Sequence, residues 1–108
     1  NENNISSHFY VDELKTSTDN AMYFGLLLTE LYINSIKHAF ENQDNKEIRF
    51  ELKVHNNEMH FNYSDNGNQK LESSIKPKLV DKLCRQLRLE YEIKVSKGFY
   101  FSFKQHIK

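Results

Sequence analysis

The sequence predicts an α+β fold, a two-layer α/β sandwich in which helices cover one face of a mixed sheet. Two observations support it. Segments that alternate apolar and polar residues predict strands, and two segments with apolar residues at helical spacing predict helices. Their order along the 108 residues is strand, helix, hairpin, helix, hairpin, which favours a sheet with helices on one face. We expect residues 1–108 to form a single domain.

The first half of the chain predicts a strand ending near Asp12 and a long helix from Asn20 to Phe40. Ser17, Thr18 and Asp19 are residue types that cap helix starts. The first half of the helix is apolar almost all round, so we expect burial on more than one side. Its apolar residues recur at helical spacing: Met22, Leu26, Leu28, Leu31, Ile33, Ile36 and Phe40.

The second half predicts two hairpins around a second helix. Alternating strands flank Asn56-Asn57, a pair that tolerates the left-handed backbone of a tight turn. A helix begins near Pro77, and a second hairpin turns at Lys97-Gly98. The apolar and aromatic residues that define these strands and this helix are Ile48, Phe50, Leu52, Val54, Met59, Phe61, Tyr63, Leu79, Val80, Leu83, Leu87, Tyr91, Ile93, Val95, Phe99, Phe101 and Phe103.

Composition excludes several classes of protein. A hydrophobic content of 38% with 13% aromatics is incompatible with a disordered chain. Fifteen basic and fifteen acidic residues balance, so no net charge attracts nucleic acid or an anionic membrane. The lone Cys84 excludes an internal disulfide and favours a reducing compartment. No apolar stretch is long enough to span a bilayer. Because the chain begins at Asn1 without an initiator Met, we expect a segment of a longer protein.

A polar stripe interrupts the long helix. At about 100° per residue, Glu30, Asn34, Lys37 and His38 fall on one face. Carboxylate and amide oxygens suit Mg²⁺, which keeps waters and also binds substrate phosphates. A solvated surface face is the alternative, and the helix alone favours it. Against it, Glu30 sits in a very apolar segment, where a carboxylate needs a partner.

Asp65-Asn66-Gly67 at the end of a predicted strand has two interpretations. Asn-Gly is a favoured tight-turn pair, and by itself the motif favours a turn. An aspartate at a strand end can also accept a hydrogen bond from an exocyclic amine and so recognise adenine. Its position after the polar helix and hairpin gives weight to the second interpretation.

These residues carry a resemblance to a known family. The run from Leu27 to Phe40 resembles the N box of bacterial sensor histidine kinases, which share an ATPase superfamily with gyrase, heat-shock chaperones and mismatch-repair proteins. Phe61 to Gly67 resembles the first glycine box of these kinases, Leu79 to Leu87 the helix after the second, and Gly98 to Phe101 the closing strand. The resemblance covers nearly the whole chain from Ser7, and the N box is its most specific part.

The resemblance implies an ATP and Mg²⁺ site. Asn34 would ligate Mg²⁺, and Glu30 would be the catalytic residue that orients or activates the attacking group. The nucleotide itself would contact Asp65 at the adenine amine, Gly67 beside the base, and Lys37 and His38 near the phosphates. The implied function is transfer of the ATP γ-phosphoryl group to a histidine outside this segment. The implied partners are a phosphoacceptor-histidine domain and a response regulator, with no nucleic acid and no direct membrane contact. We expect a cytoplasmic location, with the parent protein free to be membrane-anchored.

The chain departs from the family where glycines are expected. Gln69 replaces a second glycine, and Pro77, which has no amide hydrogen for a phosphate, lies where a glycine turn is expected. Lys70, Lys76 and Lys78 could supply point charges, but a solvated loop is the favoured explanation. Two alternatives therefore stand beside the kinase hypothesis: a degenerate, non-catalytic docking or regulatory domain and, ranked below it, a serine kinase of the anti-sigma-factor type.

Overall fold

The computed structural model describes residues 5–13, 18–40, 44–68, 78–86, 88–95 and 98–106. Within them lie strand β1 (Ile5–Val11), helix α1 (Thr18–Asn34), a π-helical segment (Ser35–Ala39), strands β2 (Lys46–His55) and β3 (Glu58–Asp65), helix α2 (Lys78–Gln86), and strands β4 (Tyr91–Val95) and β5 (Phe99–His106). Pro77, Leu87 and Lys97, which the sequence places at the ends of elements, lie outside the described residues.

The strands form one mixed sheet in the order β1-β2-β3-β5-β4. β1 pairs with β2 in parallel, and the other neighbours pair antiparallel. A parallel pair needs a crossover connection, and α1 lies in the connection between β1 and β2. Asn56 and Asn57 both have positive φ, 51° and 61°, as the tight turn between β2 and β3 requires. The predicted α+β fold with a mixed sheet is confirmed.

The core lies between one face of the sheet and the two helices. Odd-numbered residues of β3 and β5 point into it because side chains alternate along a strand. Phe61 is its centre: its ring lies 4.8 Å from Phe50 and is stacked at 4.8 Å on Phe103. The remaining buried apolar residues are Phe24, Leu27, Leu31, Ala39, Ile48, Leu52, Met59, Tyr63, Leu83, Cys84, Phe99 and Phe101.

Helix α1 buries a different set of residues from the one that the sequence suggests. Phe24, Leu27 and Leu31 face the sheet, whereas Met22 and Leu26 are 56% and 45% exposed. The expectation that the first half of this helix is buried on more than one side is therefore wrong. Because nearly every position there is apolar, periodicity alone cannot select the buried face.

The end of the long helix also differs from the prediction. α-Helical geometry stops at Asn34, the next five residues are π-helical, and Phe40 is already extended, with φ −109° and ψ 119°. A π-helix makes i→i+5 hydrogen bonds and so turns less per residue than an α-helix. The sequence-based alignment of Lys37 and His38 with Glu30 and Asn34 assumes about 100° per residue, and this geometry does not hold from Ser35 onward.

Candidate nucleotide site

Asp65 is the best-defined side chain of the candidate site. It ends β3 next to Phe99 of β5, and only 8% of its surface is exposed. Its Oδ1 accepts hydrogen bonds from the backbone amides of Gly67, at 2.9 Å, and Phe99, at 3.2 Å. Its Oδ2 accepts one from the hydroxyl of Ser35 at 2.7 Å. A buried carboxylate needs such donors, and here they fix its orientation.

The two glycines beside Asp65 permit close backbone approach. A Cβ on Gly67 would lie 2.5 Å from the carbonyl oxygen of Ala39, at the end of the π-helical segment. A Cβ on Gly98, whose φ is +116°, would overlap the carbonyl oxygen of Asp65. Gly67 itself is absent from the positive-φ positions of the described chain. Its lack of a side chain therefore lets the strand end approach the helix end, which a tight Asn-Gly turn would not require.

Asn66 has a structural role. Its Oδ1 accepts a hydrogen bond from the amide of Glu47 at 2.7 Å, and its Nδ2 donates to the carbonyl of Asn45 at 3.0 Å. Its own amide donates to the carbonyl of Glu47 at 3.1 Å. These bonds tie the end of β3 to the start of β2. Together with the Asx-type bond from the Gly67 amide to Asp65, they hold the chain without a hairpin turn at this motif.

The metal-binding candidate, Asn34, is the last α-helical residue and directly precedes Ser35. The buried Nδ2 atom of Asn34 has no hydrogen-bond partner among the described residues. A buried amide without a partner costs free energy, so a ligand at this position would be stabilising. Rotation of the carboxamide by 180° about its terminal bond would bring the oxygen to the same place, which suits a hard cation.

The other predicted site residues are less constrained. Glu30 is half-buried one helical turn before Asn34, and Lys37 is exposed on the π-helical segment. The side chain of His38 lies outside the described part of the structure, as do those of Lys70, Lys76 and Lys78. Gln69 and Pro77 also lie outside it. The structure thus brings the end of the long helix to Asp65 through Ser35, and it describes no contact from Glu30 or Lys37 to Asp65.

Ser35 and Tyr63, which the sequence analysis did not assign to the site, contribute to this arrangement. Tyr63 is fully buried, and its hydroxyl lies 2.6 Å from Oγ of Ser35 and donates to the carbonyl of Leu31 at 3.1 Å. Burial raises the pKa of Tyr63 well above its ordinary value, so the hydroxyl keeps its proton. A tyrosine at a core-facing strand position was the available signal, because a buried phenol needs a hydrogen-bond partner.

Two further observations on the described residues concern ligand binding. Among the described residues, no group of three or more His, Cys, Asp or Glu side chains could hold a metal ion. A groove of about 620 Å³ opens on the opposite face of the sheet and includes His60, Asn62, Tyr100 and Lys104. Apart from Phe103, the residues of β3 and β5 that line it are even-numbered, so the sheet separates it from Asp65.

The described residues also bear on membrane insertion. None of the helices found among them combines the length and the apolar character needed to cross a membrane.

Comparison with solved structures identifies the fold. The chain superposes on the histidine kinase domain of the blue-light-activated histidine kinase EL346 of Erythrobacter litoralis with a TM-score of 0.84 and 17% identity, over 95% of this chain and 52% of that one. The Acinetobacter baumannii histidine kinase AdeS gives a TM-score of 0.75 with 11% identity, over 99% of this chain and 56% of that one. A nucleotide-free catalytic domain of the histidine kinase ThkA gives 0.66 with 18% identity, over 97% and 80%.

The chain therefore has the fold of histidine kinase catalytic domains, and it spans about half the length of the EL346 and AdeS chains that it matches. No protein-family model and no curated protein matches the sequence.

Proposed function

We propose that this chain is the ATP-binding domain of a two-component sensor histidine kinase and that it binds Mg-ATP at the end of β3. The observation that carries the proposal is the Asp65 carboxylate, buried and held in one orientation by two backbone amides and the Ser35 hydroxyl. The likeness to histidine kinase catalytic domains in the solved structures supports it.

At the base end, Asp65 would accept a hydrogen bond from the exocyclic amine of adenine. A carboxylate offers about four acceptor positions, and the described contacts use two on Oδ1 and one on Oδ2. An acceptor position therefore remains on Oδ2. Hydrogen bonds to a charged acceptor contribute about 1.5–3 kcal/mol, which is enough to orient a nucleobase.

At the phosphate end, Asn34 would hold Mg²⁺ through its amide oxygen. No contact among the described residues fixes the Nδ2 atom of Asn34, so the carboxamide can be oriented with its oxygen in that position. A single protein ligand is sufficient because Mg²⁺ takes its other ligands from phosphates and water. When bound, Mg²⁺ supplies charge neutralisation at the phosphates. Lys37 and His38 would lie near the phosphates, and Glu30 would orient or deprotonate the attacking imidazole of a histidine outside this segment.

The partners of such a domain would be a phosphoacceptor-histidine domain and a response regulator. Because the chain spans about half of the EL346 and AdeS chains, the phosphoacceptor would reside in another part of the parent protein. A cytoplasmic location agrees with the single, buried cysteine.

A second candidate function is a degenerate domain that serves as a docking or regulatory module. Gln69 and Pro77 favour it, since they replace glycines of the family pattern at positions expected to approach the phosphates. This candidate keeps the fold and loses tight nucleotide binding.

Calorimetric titration with ATP, with and without Mg²⁺, separates the two candidates. The kinase proposal expects binding that strengthens with Mg²⁺, loss of this increment in Asn34→Ala, and loss of binding in Asp65→Ala. Asn62→Ala, on the opposite face of the sheet, is the matched control and should bind as the unmodified chain does. No binding at millimolar ATP would favour the docking module. If ATP binds, autophosphorylation of the full-length protein would test catalysis.

A further inference from the structure

A buried chain of hydroxyl groups connects the long helix to the Asp65 carboxylate. It runs from the Tyr63 hydroxyl to the Ser35 hydroxyl, at 2.6 Å, and from Ser35 to Oδ2 of Asp65, at 2.7 Å. Tyr63 is fully buried and Ser35 is 3% exposed. Both bonds are short and out of contact with bulk water, so we call Tyr63, Ser35 and Asp65 the buried hydroxyl chain.

The Asp65 carboxylate sets the direction of the hydrogen bond from Ser35. An ionised carboxylate only accepts hydrogen bonds, so the single proton of Ser35 points to Asp65. The 2.6 Å contact between the two hydroxyls then needs Tyr63 as its donor, and the single proton of the Tyr63 hydroxyl serves either Ser35 or the carbonyl of Leu31. Burial raises the pKa of Tyr63, so the donor at the start of the chain stays protonated near neutral pH.

The helix end is part of the same arrangement. The carbonyl of Leu31, which accepts from Tyr63, lies in the turn that precedes the change from α- to π-helix at Ser35. A side chain that binds a helix carbonyl is one of the known causes of such a local change. Tyr63 thus holds the helix where Ser35 is brought to Asp65.

We propose that Ser35, held by Tyr63, is a positioning residue that fixes the Asp65 carboxylate for a base carrying an exocyclic amine. This inference rests on the proposed nucleotide site. Oδ1 of Asp65 is held by two backbone amides, and Ser35 fixes Oδ2 by occupying one of its acceptor positions. The remaining position on Oδ2 accepts an N–H group and repels a carbonyl oxygen. The buried hydroxyl chain therefore favours a base that presents an amino group at this position over one that presents a carbonyl oxygen there.

The test compares ATP with the triphosphate of purine riboside, which lacks the 6-amino group and otherwise keeps the ring. The ratio of their dissociation constants isolates the contact between the amine and Asp65. For the unmodified chain we expect ATP to bind about 10-fold more tightly, as a hydrogen bond to a charged group predicts. Ser35→Ala should reduce this preference about 5-fold, Tyr63→Phe about 2-fold, and Ser35→Thr should retain it.

The controls carry the same chemical changes on the other face of the sheet. Ser102→Ala and Tyr100→Phe both alter residues of the groove opposite Asp65 and should leave the preference unchanged. A merely structural role of Ser35 would weaken both nucleotides equally and leave the ratio intact. Should Ser35→Ala fail to fold by circular dichroism, Tyr63→Phe and Ser35→Thr still test the ratio.

The outcomes separate the inference from the function on which it rests. If the unmodified chain prefers ATP and Ser35→Ala or Tyr63→Phe keeps that preference, the positioning role is wrong and the proposed function stands. If ATP binds with no preference over purine riboside triphosphate, the adenine role of Asp65 fails and the inference fails with it. If neither nucleotide binds the unmodified chain, the proposed function itself is overturned.

Discussion

The two ends of the candidate site differ in how many of their polar groups have hydrogen-bond partners within the protein. At the base end, Asp65 receives hydrogen bonds from two backbone amides and a buried serine, and a buried tyrosine supports that serine. At the phosphate end, the buried amide nitrogen of Asn34 has no partner among the described residues, and Lys37 is exposed. The base end therefore belongs to the folded core, whereas the phosphate end presents groups that a ligand would complete.

The difference indicates which residues contribute to folding stability and which are available to bind a ligand. Groups that bond within the protein contribute to folding even without ligand, whereas a buried group left without a partner costs free energy until a ligand binds. We expect substitutions at the base end to lower stability and those at the phosphate end to leave it unchanged or raise it. Four substitutions test this contrast.

The largest effect is expected for Asp65→Ala. Two backbone amides and the Ser35 hydroxyl would lose their acceptor in a buried environment, so the free energy of unfolding should fall by about 3 kcal/mol. Urea denaturation measures it, with Asp44→Ala, at an exposed aspartate, as the control. A loss below about 1 kcal/mol is within the range of a single net hydrogen bond. It would show that Asp65 contributes no more to the free energy of unfolding than an exposed residue does.

The next effect is alkaline destabilisation through Tyr63. Its pKa is raised in the folded state by burial, so above pH of about 10 the unfolded chain loses this proton and the folded chain retains it. Below that pH, the contribution of Tyr63 to the free energy of unfolding is fully present. Above it, this contribution falls as the pH rises, by at most about 1.4 kcal/mol per pH unit. Urea midpoints from pH 8 to 11 should decline less steeply in Tyr63→Phe, and Tyr100→Phe serves as the control. Equal slopes in all three proteins would contradict the prediction.

The third effect has the opposite sign. Asn34→Leu replaces a side chain whose buried amide nitrogen has no partner among the described residues with an apolar side chain of similar size. We therefore expect the free energy of unfolding to rise by about 1 kcal/mol. The same substitution should remove the Mg²⁺-dependent part of ATP binding. Thermal unfolding and calorimetry on one preparation measure both. Destabilisation by more than about 1 kcal/mol would mean that Asn34 supports the fold, as most single substitutions would suggest.

The smallest effect is expected for Lys37→Ala. An exposed lysine contributes little to folding, so stability should change by less than about 0.5 kcal/mol. ATP affinity should fall about 3-fold at low ionic strength and converge with that of the unmodified chain in about 0.5 M salt, because screening removes exposed charge interactions. Lys53→Ala, an exposed lysine on β2, is the control. A salt-independent loss of affinity would indicate a direct contact in a desolvated site.

The parts of the fold that follow from local patterns could be predicted from the sequence. Alternation placed β2, β3 and β5, and the Asn56-Asn57 pair placed the first hairpin, because both signals act within a few residues. The buried face of α1 could not be predicted, since Met22 and Leu26 are as apolar as Phe24 and Leu27. Only the sheet, formed from distant segments, decides which of them are covered.

The candidate site divides in the same way. Asp65 and Asn34 could be selected from residue type, position and the family resemblance. The roles of Ser35 and Tyr63 depend on hydrogen bonds between residues 28 and 30 positions apart, for which periodicity carries no signal. The change from α- to π-helix at Ser35 likewise coincides with a contact from Tyr63 to Leu31, across the layers of the fold.

Cys84 on α2 gives the chain an internal reporter of its own opening. It is the sole thiol, it is 1% exposed, and burial raises its pKa to about 11. Alkylating reagents need an accessible thiolate, so at neutral pH they should modify this residue only after α2 separates from the sheet. The rate of alkylation would then report how often α2 separates from the sheet. It needs no engineered probe and can be measured with or without an added ligand.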